Sequence, residues 1–306
     1  MDTITAADVT AAADRIAGRV RRTPVLQVAP GRWLKLEVLQ HTGTFKARGA
    51  FNRQLRAREL GQLDPARGVV AASGGNAGLA HAHAAAELGV PATVFVPTTA
   101  PLVKVSRLRS LGADVRLVGE QYAQAYEAAV EFAAERGAVF CHAYDQPEIA
   151  AGAGTLALEL LEDVPEVDTV VVAVGGGGLF AGVAAALEGR ARVVAVEPFG
   201  APTLHRALAA GEPADVEVGG VAADSLGARR IGSIAWDLAQ RTSPVSLLVD
   251  DDAITAARQQ LWARFRVVAE HGAAAAWAGL AAYSPAEGER VAVVVCGANT
   301  DPADLG

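Results

Sequence analysis

Lysine is rare in this chain, and one lysine lies where an amine could do chemistry. Only three of the 27 basic residues are lysines. Lys46 follows a short turn at residues 42–45, which ends on Phe45, and precedes a helical pattern at residues 47–60. Partial desolvation at such a junction lowers the pKa of an amine and makes it a nucleophile or a Schiff-base former. The alternative is an exposed lysine in the first turn of a helix.

The other two lysines are weaker candidates. Lys35 belongs to an alternating run that predicts a strand, and it shares a face with Glu37, so we expect a solvated side chain. Lys104 lies on the polar side of a predicted helix, beside Arg107. Lys46 is therefore the lysine that the sequence favours for chemistry.

Four consecutive glycines follow a predicted strand and precede a predicted helix. Glycines let backbone N–H groups approach an anion closely, and a helix N-terminus adds positive partial charge. The segment therefore predicts a phosphate site, since a plain turn would need only one or two glycines; we call it the tetraglycine loop (Gly175, Gly176, Gly177 and Gly178). Together with Ala181 and with Glu197, which lies about twenty residues further on, the tetraglycine loop also fits the glycine fingerprint of dinucleotide-binding proteins. A dinucleotide site therefore stays an alternative.

A second glycine-rich loop, at residues 73–78, follows another predicted strand, where parallel sheets bind ligands. Ser73 and the backbone amides near it, at Gly74 and Ala77, could hold a carboxylate, and Asn76 could bond a phenolic oxygen. The alternative for Ser73 is a helix N-cap, which explains the serine but not the rest of the loop.

A thiol and two histidines are the remaining candidates. Cys296 ends a predicted strand at the same ligand face, although a lone cysteine is more often part of a core. His81 and His83 are two residues apart on a predicted helix, so their side chains diverge. We therefore expect no metal site from this pair.

The composition favours a large globular protein. The 306 residues are 51% hydrophobic, mostly Ala, Val and Leu, which suits helices packed on buried strands. The net charge of −7, without a basic block, argues against nucleic acid and acidic membranes as partners. Two cysteines and no signal-like N-terminus lead us to expect a cytoplasmic protein. The uncharged run at residues 170–187 contains the tetraglycine loop and predicts a buried strand, not a membrane span.

Strands alternate with helices along most of the chain, which predicts βαβ units and parallel sheets. A helix is predicted at residues 6–20 and a strand at residues 33–38, and residues 211–232 are expected to loop over the surface. We predict an α/β fold of two domains, each an open, mostly parallel sheet with helices on both faces. Residues 1–36 and 142–306 would form the large domain, and residues 37–141 the small one.

Taken in chain order, these motifs resemble the fold type II pyridoxal-phosphate enzymes, which share the tryptophan synthase β-like architecture. The motifs are residues 44–49, residues 73–78, the tetraglycine loop, Glu270 and Cys296 with Gly297. Within these enzymes, the motifs resemble those of the serine/threonine dehydratases, with the serine racemases as relatives. The resemblance extends over nearly the whole chain.

The resemblance implies a role for each motif in holding pyridoxal phosphate. Lys46 would form the Schiff base, and Phe45 would pack near the cofactor ring. Asn76 would bond the phenolic oxygen, and the tetraglycine loop would hold the phosphate. Cys296 would face the pyridine nitrogen, with Glu270 nearby. In such enzymes the cofactor stores electrons, and the protein positions and tunes it.

The implied reaction converts a β-hydroxy amino acid, L-threonine or L-serine, to a 2-oxo acid and ammonia. Ser73, Gly74, Asn76 and Ala77 would bind the substrate, and Lys46 would take the α-proton. We also expect a homodimer. A serine racemase or a 3-hydroxyaspartate-type dehydratase is the alternative within the family. An NAD-dependent oxidoreductase and a non-catalytic small-molecule binder are more distant alternatives.

Three departures from the relatives matter. Ala153 stands where relatives often have glutamine. Thr203 stands where the metal site of relatives has an acid six residues after Glu197, so we expect no divalent metal and at most a weakly held monovalent cation. Gly74 stands where the racemases carry a serine, which favours elimination over racemisation.

Overall fold

The computed structural model describes residues 3–305. Within them the strands are β1 (Val25–Ala29), β2 (Arg32–Leu36), β3 (Val69–Ala72), β4 (Ala92–Val96), β5 (Asp114–Leu117), β6 (Val139–Cys141), β7 (Thr169–Ala173), β8 (Arg192–Pro198), β9 (Val245–Val249) and β10 (Val291–Val295). The α-helices are α1 (Ala6–Ile16), α2 (Lys46–Glu59), α3 (Asn76–Leu88), α4 (Leu102–Ser110), α5 (Tyr122–Arg136), α6 (Pro147–Asp163), α7 (Gly178–Leu187), α8 (Thr203–Ala210), α9 (Ala223–Leu226), α10 (Ser233–Thr242), α11 (Asp251–Phe265) and α12 (His271–Tyr283).

The strands form two sheets. The larger has the order β1-β2-β10-β7-β8-β9, in which only the β1–β2 pair is antiparallel among the described residues. The smaller has the order β5-β4-β3-β6, and its strands are parallel. The valine-rich strands β7 and β10 lie at the centre of the larger sheet and are buried along their whole length. The predicted α/β class with two mostly parallel sheets is confirmed.

Helices cover both sheets. Helix α12 packs against β7, β8, β9 and β10 of the larger sheet, and α3 and α5 pack against the smaller one. The strands of the smaller sheet fall between residues 69 and 141. The domain boundaries at residues 36 and 142 stay predictions. Residues 1, 2 and 306, which the predicted large domain includes, lie outside the described residues.

Several predicted elements differ from those observed. Helix α1 ends at Ile16, not near residue 20, because Ala17 is extended and Gly18 has a φ of +71°. The strand predicted at residues 33–38 is β2, which gives way to a 3-10 turn after Leu36. Strand β1 and helices α8 and α10 were not predicted, and the stretch at residues 211–232 contains the short helix α9.

The expectation for Lys35 is wrong. Its side chain is fully buried, and its Nζ atom donates hydrogen bonds to the carbonyl oxygen of Thr23 at 2.7 Å and to Glu159 at 2.6 Å. Strands β1 and β10 cover the two edges of β2, and Glu159 of α6 lies against the face of β2 that carries Lys35. Both contacts join segments that are distant in the chain, so the local alternation of residues cannot reveal them.

Candidate active site

Lys46 is the first residue of α2, and the turn before it is tied to a distant strand. The backbone N–H of Phe45 donates to the carbonyl oxygen of Cys296 at 3.1 Å, and Thr44 pairs with Gly297 in an isolated β-bridge. These contacts fix the start of α2 against the end of β10. The Lys46 amine and the Cys296 thiol are thereby brought to one place from opposite ends of the chain.

The Lys46 amine lies in surroundings of low polarity. Its Nζ atom donates to the carbonyl oxygen of Ala143 at 2.7 Å and lies 5.1 Å from the centre of the Phe45 ring. Burial lowers the pKa of Lys46 to about 8, and the neighbouring Cys296 and Glu270 act in the opposite direction. Near neutral pH a larger share of this amine is unprotonated than of an ordinary lysine, as a nucleophile or general base requires.

The tetraglycine loop connects β7 to α7 and has no room for side chains. A Cβ atom on Gly176 would lie 2.5 Å from carbons of the Tyr144 ring, and one on Gly178 would lie 2.7 Å from the carbonyl oxygen of Tyr144. Gly177 has a φ of +90°, and its Cβ atom would lie 2.4 Å from Ala235. The loop therefore requires glycine, and it presents the first backbone N–H groups of α7 to an anion.

The loop at residues 73–78 follows β3, and its last three residues begin α3. Gly75 occupies the N-cap position of α3, so the interpretation of Ser73 as an N-cap is wrong. The Ser73 hydroxyl instead accepts a hydrogen bond from the N–H of Gly75 at 3.3 Å. Its own proton stays free to donate to a ligand. The amides of Asn76 and Ala77 belong to the first turn of α3, where N–H groups have no intrahelical partner.

Asn76 is oriented by two neighbours. Its Nδ2 atom donates to Glu270 at 2.7 Å, and its Oδ1 atom accepts from the amide of Asn299 at 2.6 Å. Asn299 also donates to the carbonyl oxygen of Thr42 at 2.9 Å and accepts from Arg107 at 2.6 Å. The second N–H of the Asn76 amide can therefore donate to a ligand. Sequence reasoning assigned no role to Asn299; its one signal is that it follows the end of β10.

Glu270 and Cys296 lie close to the Lys46 amine, and burial favours the neutral form of both. Burial raises the pKa of Glu270 to about 7, although the hydrogen bond from Asn76 opposes the shift. Burial, and to a smaller extent the Glu270 carboxylate, raises the pKa of the Cys296 thiol far above its usual range. Because a thiol is only a weak donor, Cys296 could contact a pyridine nitrogen without protonating it.

Glu197 is fully buried and caps helix α8. Its carboxylate accepts the N–H groups of Leu204 and His205 at 2.7 Å each and the hydroxyl of Thr203 at 3.0 Å. Burial raises the pKa of Glu197 to about 7. A carboxyl group engaged in this way does not face a ribose, which weighs against the dinucleotide alternative. Within residues 3–305, no three His, Cys, Asp or Glu side chains are grouped to hold a metal ion.

The carboxyl ends of strands from both sheets meet around the Lys46 amine. The loop at residues 73–78 follows β3, the tetraglycine loop follows β7, and Cys296 follows β10. Ala143, whose carbonyl oxygen accepts from Lys46, lies between β6 and α6. Ala143, Tyr144 and Asn299 are the contacts that the sequence analysis missed.

The chemical groups gathered at this site fit pyridoxal phosphate. That cofactor needs an amine for its aldehyde, N–H donors for its phosphate and a partner for its ring nitrogen. Lys46, the tetraglycine loop and Cys296 offer these three groups. The fit is steric as well as chemical, because a Cβ atom would clash at the middle of the tetraglycine loop.

Comparison with known proteins agrees with this chemistry. The profile of the pyridoxal-phosphate dependent enzyme family matches residues 16–297. The chain belongs to this family. The L-threonine ammonia-lyase of Thermotoga maritima is 38% identical over 272 residues, which cover 88% of this chain and 67% of that protein. The phenylserine dehydratase of Ralstonia pickettii is 36% identical over 318 residues, which cover 99% of this chain and 96% of that protein.

A solved member of the family has the same fold. The serine racemase of Dictyostelium discoideum superposes with a TM-score of 0.90 and 30% identity, over 98% of this chain and all of that one. Both dehydratases and racemases are therefore similar to this chain. No helix in the described part of the chain is long and apolar enough to cross a membrane.

Proposed function

We propose that this protein is a pyridoxal-phosphate-dependent lyase that removes water and ammonia from a β-hydroxy amino acid, L-threonine or L-serine. The observation that carries the proposal is the half-buried Lys46, whose amine pKa is lowered to about 8, at the meeting point of the tetraglycine loop, Asn76 and Cys296. Two relatives support the same reaction class, since one is named an L-threonine ammonia-lyase and the other a phenylserine dehydratase.

The residues at the site have distinct tasks in holding the cofactor. Lys46 would hold it covalently, with Phe45 beside its ring. The tetraglycine loop would hold its phosphate, Asn76 its phenolic oxygen, and Cys296 its ring nitrogen, with Glu270 nearby. When bound, the cofactor supplies an electron sink for the pair left behind by the α-proton.

The remaining chemistry falls to the chain itself. Ser73 and the amides of Gly74, Asn76 and Ala77 bind the substrate carboxylate, which orients the Cα–H bond towards Lys46. The Lys46 amine takes the α-proton, and the β-hydroxyl takes up one proton as it leaves as water, so that one proton is lost and one gained at the site. Water then hydrolyses the released enamine, after tautomerisation to an imine. The water lost equals the water consumed, so the net products are a 2-oxo acid and ammonia.

A serine racemase is the second candidate, supported by the structural similarity to a serine racemase. Racemisation needs an acid–base group on each face of the α-carbon. Gly74 carries no side chain that could deliver a proton to the face opposite Lys46. We therefore place elimination first.

A substrate panel tests the proposal. Purified holoenzyme is given L-serine, L-threonine, 3-hydroxyaspartate and 3-phenylserine, and both 2-oxo acid and ammonia are measured. The last compound is included because the phenylserine dehydratase matches nearly the full length of both chains. We expect equal molar release of the two products from at least one substrate. D-serine formed from L-serine as fast as pyruvate would contradict the lyase and favour the racemase.

A further inference from the structure

Aromatic side chains gather on one side of the Lys46 amine. Three of the four tyrosines of the chain take part, although aromatic residues make up only 5% of the sequence. We call this group the aromatic wall (Tyr122, Tyr126, His142 and Tyr144). Neighbouring ring centres are 6.1 Å apart for Tyr122–Tyr126, 5.7 Å for Tyr126–His142 and 4.6 Å for His142–Tyr144.

The aromatic wall borders the groups that would handle the substrate. Lys46 donates to the carbonyl oxygen of Ala143, the residue between His142 and Tyr144. The Tyr144 ring lies against Gly176 of the tetraglycine loop. Tyr122 and Tyr126 lie on successive turns of α5, which begins at the carboxyl edge of the smaller sheet. The wall therefore extends from the amine and the tetraglycine loop towards solvent.

A packing role accounts for only part of this group: Tyr126 also packs on the core beside Phe140, with ring centres 5.6 Å apart, but the open ring of Tyr122 has no such role. Tyr122 keeps 50% of its surface exposed, and Tyr126, His142 and Tyr144 are half-buried. Rings that only filled a core would be covered, as Phe51 and Phe180 are, with at most 1% exposure. An open row of aromatic edges and faces is instead a surface on which an apolar group can pack.

The aromatic wall is uncharged and held in place. Burial raises the pKa of the Tyr144 hydroxyl, and burial together with Lys46 lowers the pKa of His142. The Nδ1 atom of His142 accepts the backbone N–H groups of Tyr144 at 3.1 Å and Asp145 at 2.8 Å, which fixes the imidazole ring. A neutral, rigid surface of this kind favours a flat apolar group over a carboxylate.

We propose that the aromatic wall receives the β-substituent of the substrate, and that this substituent is an aromatic ring. The inference rests on the proposed function, because it keeps the lyase reaction at that same site, but it replaces L-threonine and L-serine as the preferred substrates with their 3-aryl analogues. The reaction is unchanged: the Cα–H and Cβ–O bonds break, water leaves, and hydrolysis returns one water to give a 3-aryl-2-oxopropanoate and ammonia. The methyl group of threonine would cover little of the wall, and serine would cover none of it.

Binding is tested without turnover by using amino acids that lack the β-hydroxyl. L-Phenylalanine and L-alanine are titrated into the holoenzyme, and dissociation constants are read from the absorbance of the bound cofactor. We expect L-phenylalanine to bind at least tenfold more tightly. Tyr122→Leu and Tyr126→Leu should each reduce that ratio by about three- to tenfold, the range expected for loss of one aromatic contact.

Tyr283→Leu is the matched control. Tyr283 is the fourth tyrosine; its hydroxyl bonds Arg192 and Glu289 at the end of α12, away from Lys46. The control should keep the wild-type ratio. Tyr122 is the safer of the two test positions because half of its surface is exposed, so its replacement should not disturb folding. Equal affinities for L-phenylalanine and L-alanine in the wild-type protein would overturn the inference.

Turnover separates this inference from the proposed function. We expect kcat/KM for 3-phenylserine to exceed that for L-threonine and L-serine by tenfold or more. Release of 2-oxo acid from L-threonine or L-serine but not from 3-phenylserine would overturn the aromatic assignment and leave the lyase standing. If no β-hydroxy amino acid releases a 2-oxo acid, the lyase proposal is overturned. The titration with L-phenylalanine and L-alanine would still decide whether the aromatic wall binds an aromatic ring.

Discussion

Arg48 and Glu37 form an ion pair at 2.8 Å in which neither side chain has any exposed surface. Arg48 also bonds Glu159 at 2.7 Å, and Glu159 in turn accepts from the buried Lys35. The cluster joins the first turn of α2 to β2 and α6. Lys46 lies only two residues before Arg48, so the cluster fixes the start of the helix that carries the amine.

We expect Arg48→Met to destabilise the protein by about 3–5 kcal/mol, because it leaves the Glu37 carboxylate buried without its partner. Urea unfolding followed by circular dichroism would measure the loss. Arg56→Met is the matched control: Arg56 is 41% exposed and pairs with Glu59 at 3.1 Å on the surface of the same helix. Its loss should cost less than about 1 kcal/mol. Equal losses of unfolding free energy in the two variants would show that the buried cluster contributes no more to stability than a surface ion pair does.

Lys46→Ala should fold normally but lose turnover by several orders of magnitude, because covalent attachment and the general base disappear together. Borohydride reduction of the wild-type holoenzyme, followed by peptide mapping, should find the cofactor on Lys46. The other two lysines are engaged elsewhere, Lys35 with Glu159 and Lys104 with Asp224. Label on either of them would refute the assignment of Lys46.

The pKa of Lys46 predicts how cofactor capture depends on pH. Only the unprotonated amine attacks an aldehyde, and the pKa of Lys46 is lowered to about 8. The capture rate should therefore rise with pH and level off above about pH 8. For an ordinary lysine, the capture rate would keep rising up to about pH 10.4. Stopped-flow absorbance on the apoprotein measures the profile.

Glu270→Gln supplies the control for that profile. The Glu270 carboxylate acts to raise the pKa of Lys46, so its removal should move the midpoint to lower pH. A wild-type midpoint near that of free lysine, or a Glu270→Gln midpoint that moves upward, would show that Lys46 is not desolvated in the way the structure indicates.

The parts of the site that local sequence predicted are those with local causes. The tetraglycine loop follows a valine-rich strand, and both its glycines and the start of α7 were expected from neighbouring residues. Lys46 was predicted by elimination and by its place at the start of a helix, and that place is observed. In these cases the spacing of residues along the chain determines the local structure.

The parts that local sequence missed depend on contacts between distant segments. Lys35 is buried because Glu159 of α6 lies against its side chain, and no pattern near residue 35 shows that contact. Asn299 orients Asn76 across the gap between the two sheets. The aromatic wall combines α5 with the segment after β6, so periodicity within α5 shows only that Tyr122 and Tyr126 share a face.

Chelators should leave activity unchanged, because the Glu197 carboxylate is already engaged by backbone N–H groups and Thr203 offers no charge for a hard cation. Thr203→Asp is the informative variant: it adds a carboxylate beside Glu197, which should lower the Tm in chelator and restore it with Mg²⁺. Wild-type activity that vanishes with chelator and returns with Mg²⁺ would prove this expectation wrong. Thermal scans and 2-oxo acid assays with and without Mg²⁺ make the comparison.

Gly74 can be replaced by serine without strain. Its φ is not in the left-handed region, and a Cβ atom there would meet Val96 at 3.4 Å, an ordinary van der Waals contact. A Cβ atom on Gly75 would also have space, with no neighbour within 4 Å, although the ψ of −145° there lies outside the region that residues with a side chain favour. Gly75→Ser is the control variant because it places the new hydroxyl one residue further along the same loop.

We expect Gly74→Ser to raise racemisation relative to elimination, because the resemblance to the racemases implies that a serine at this position carries a hydroxyl to the face of the α-carbon opposite Lys46. In the wild-type protein, reprotonation on that face depends on water, which a closed site excludes. Pyruvate and D-serine are measured together from L-serine, and the D-serine share should increase at least severalfold in Gly74→Ser but not in Gly75→Ser. An increase of the D-serine share in both variants would indicate that the substitutions let water into the site. An unchanged D-serine share in both variants would show that the second proton donor must come from elsewhere in the site.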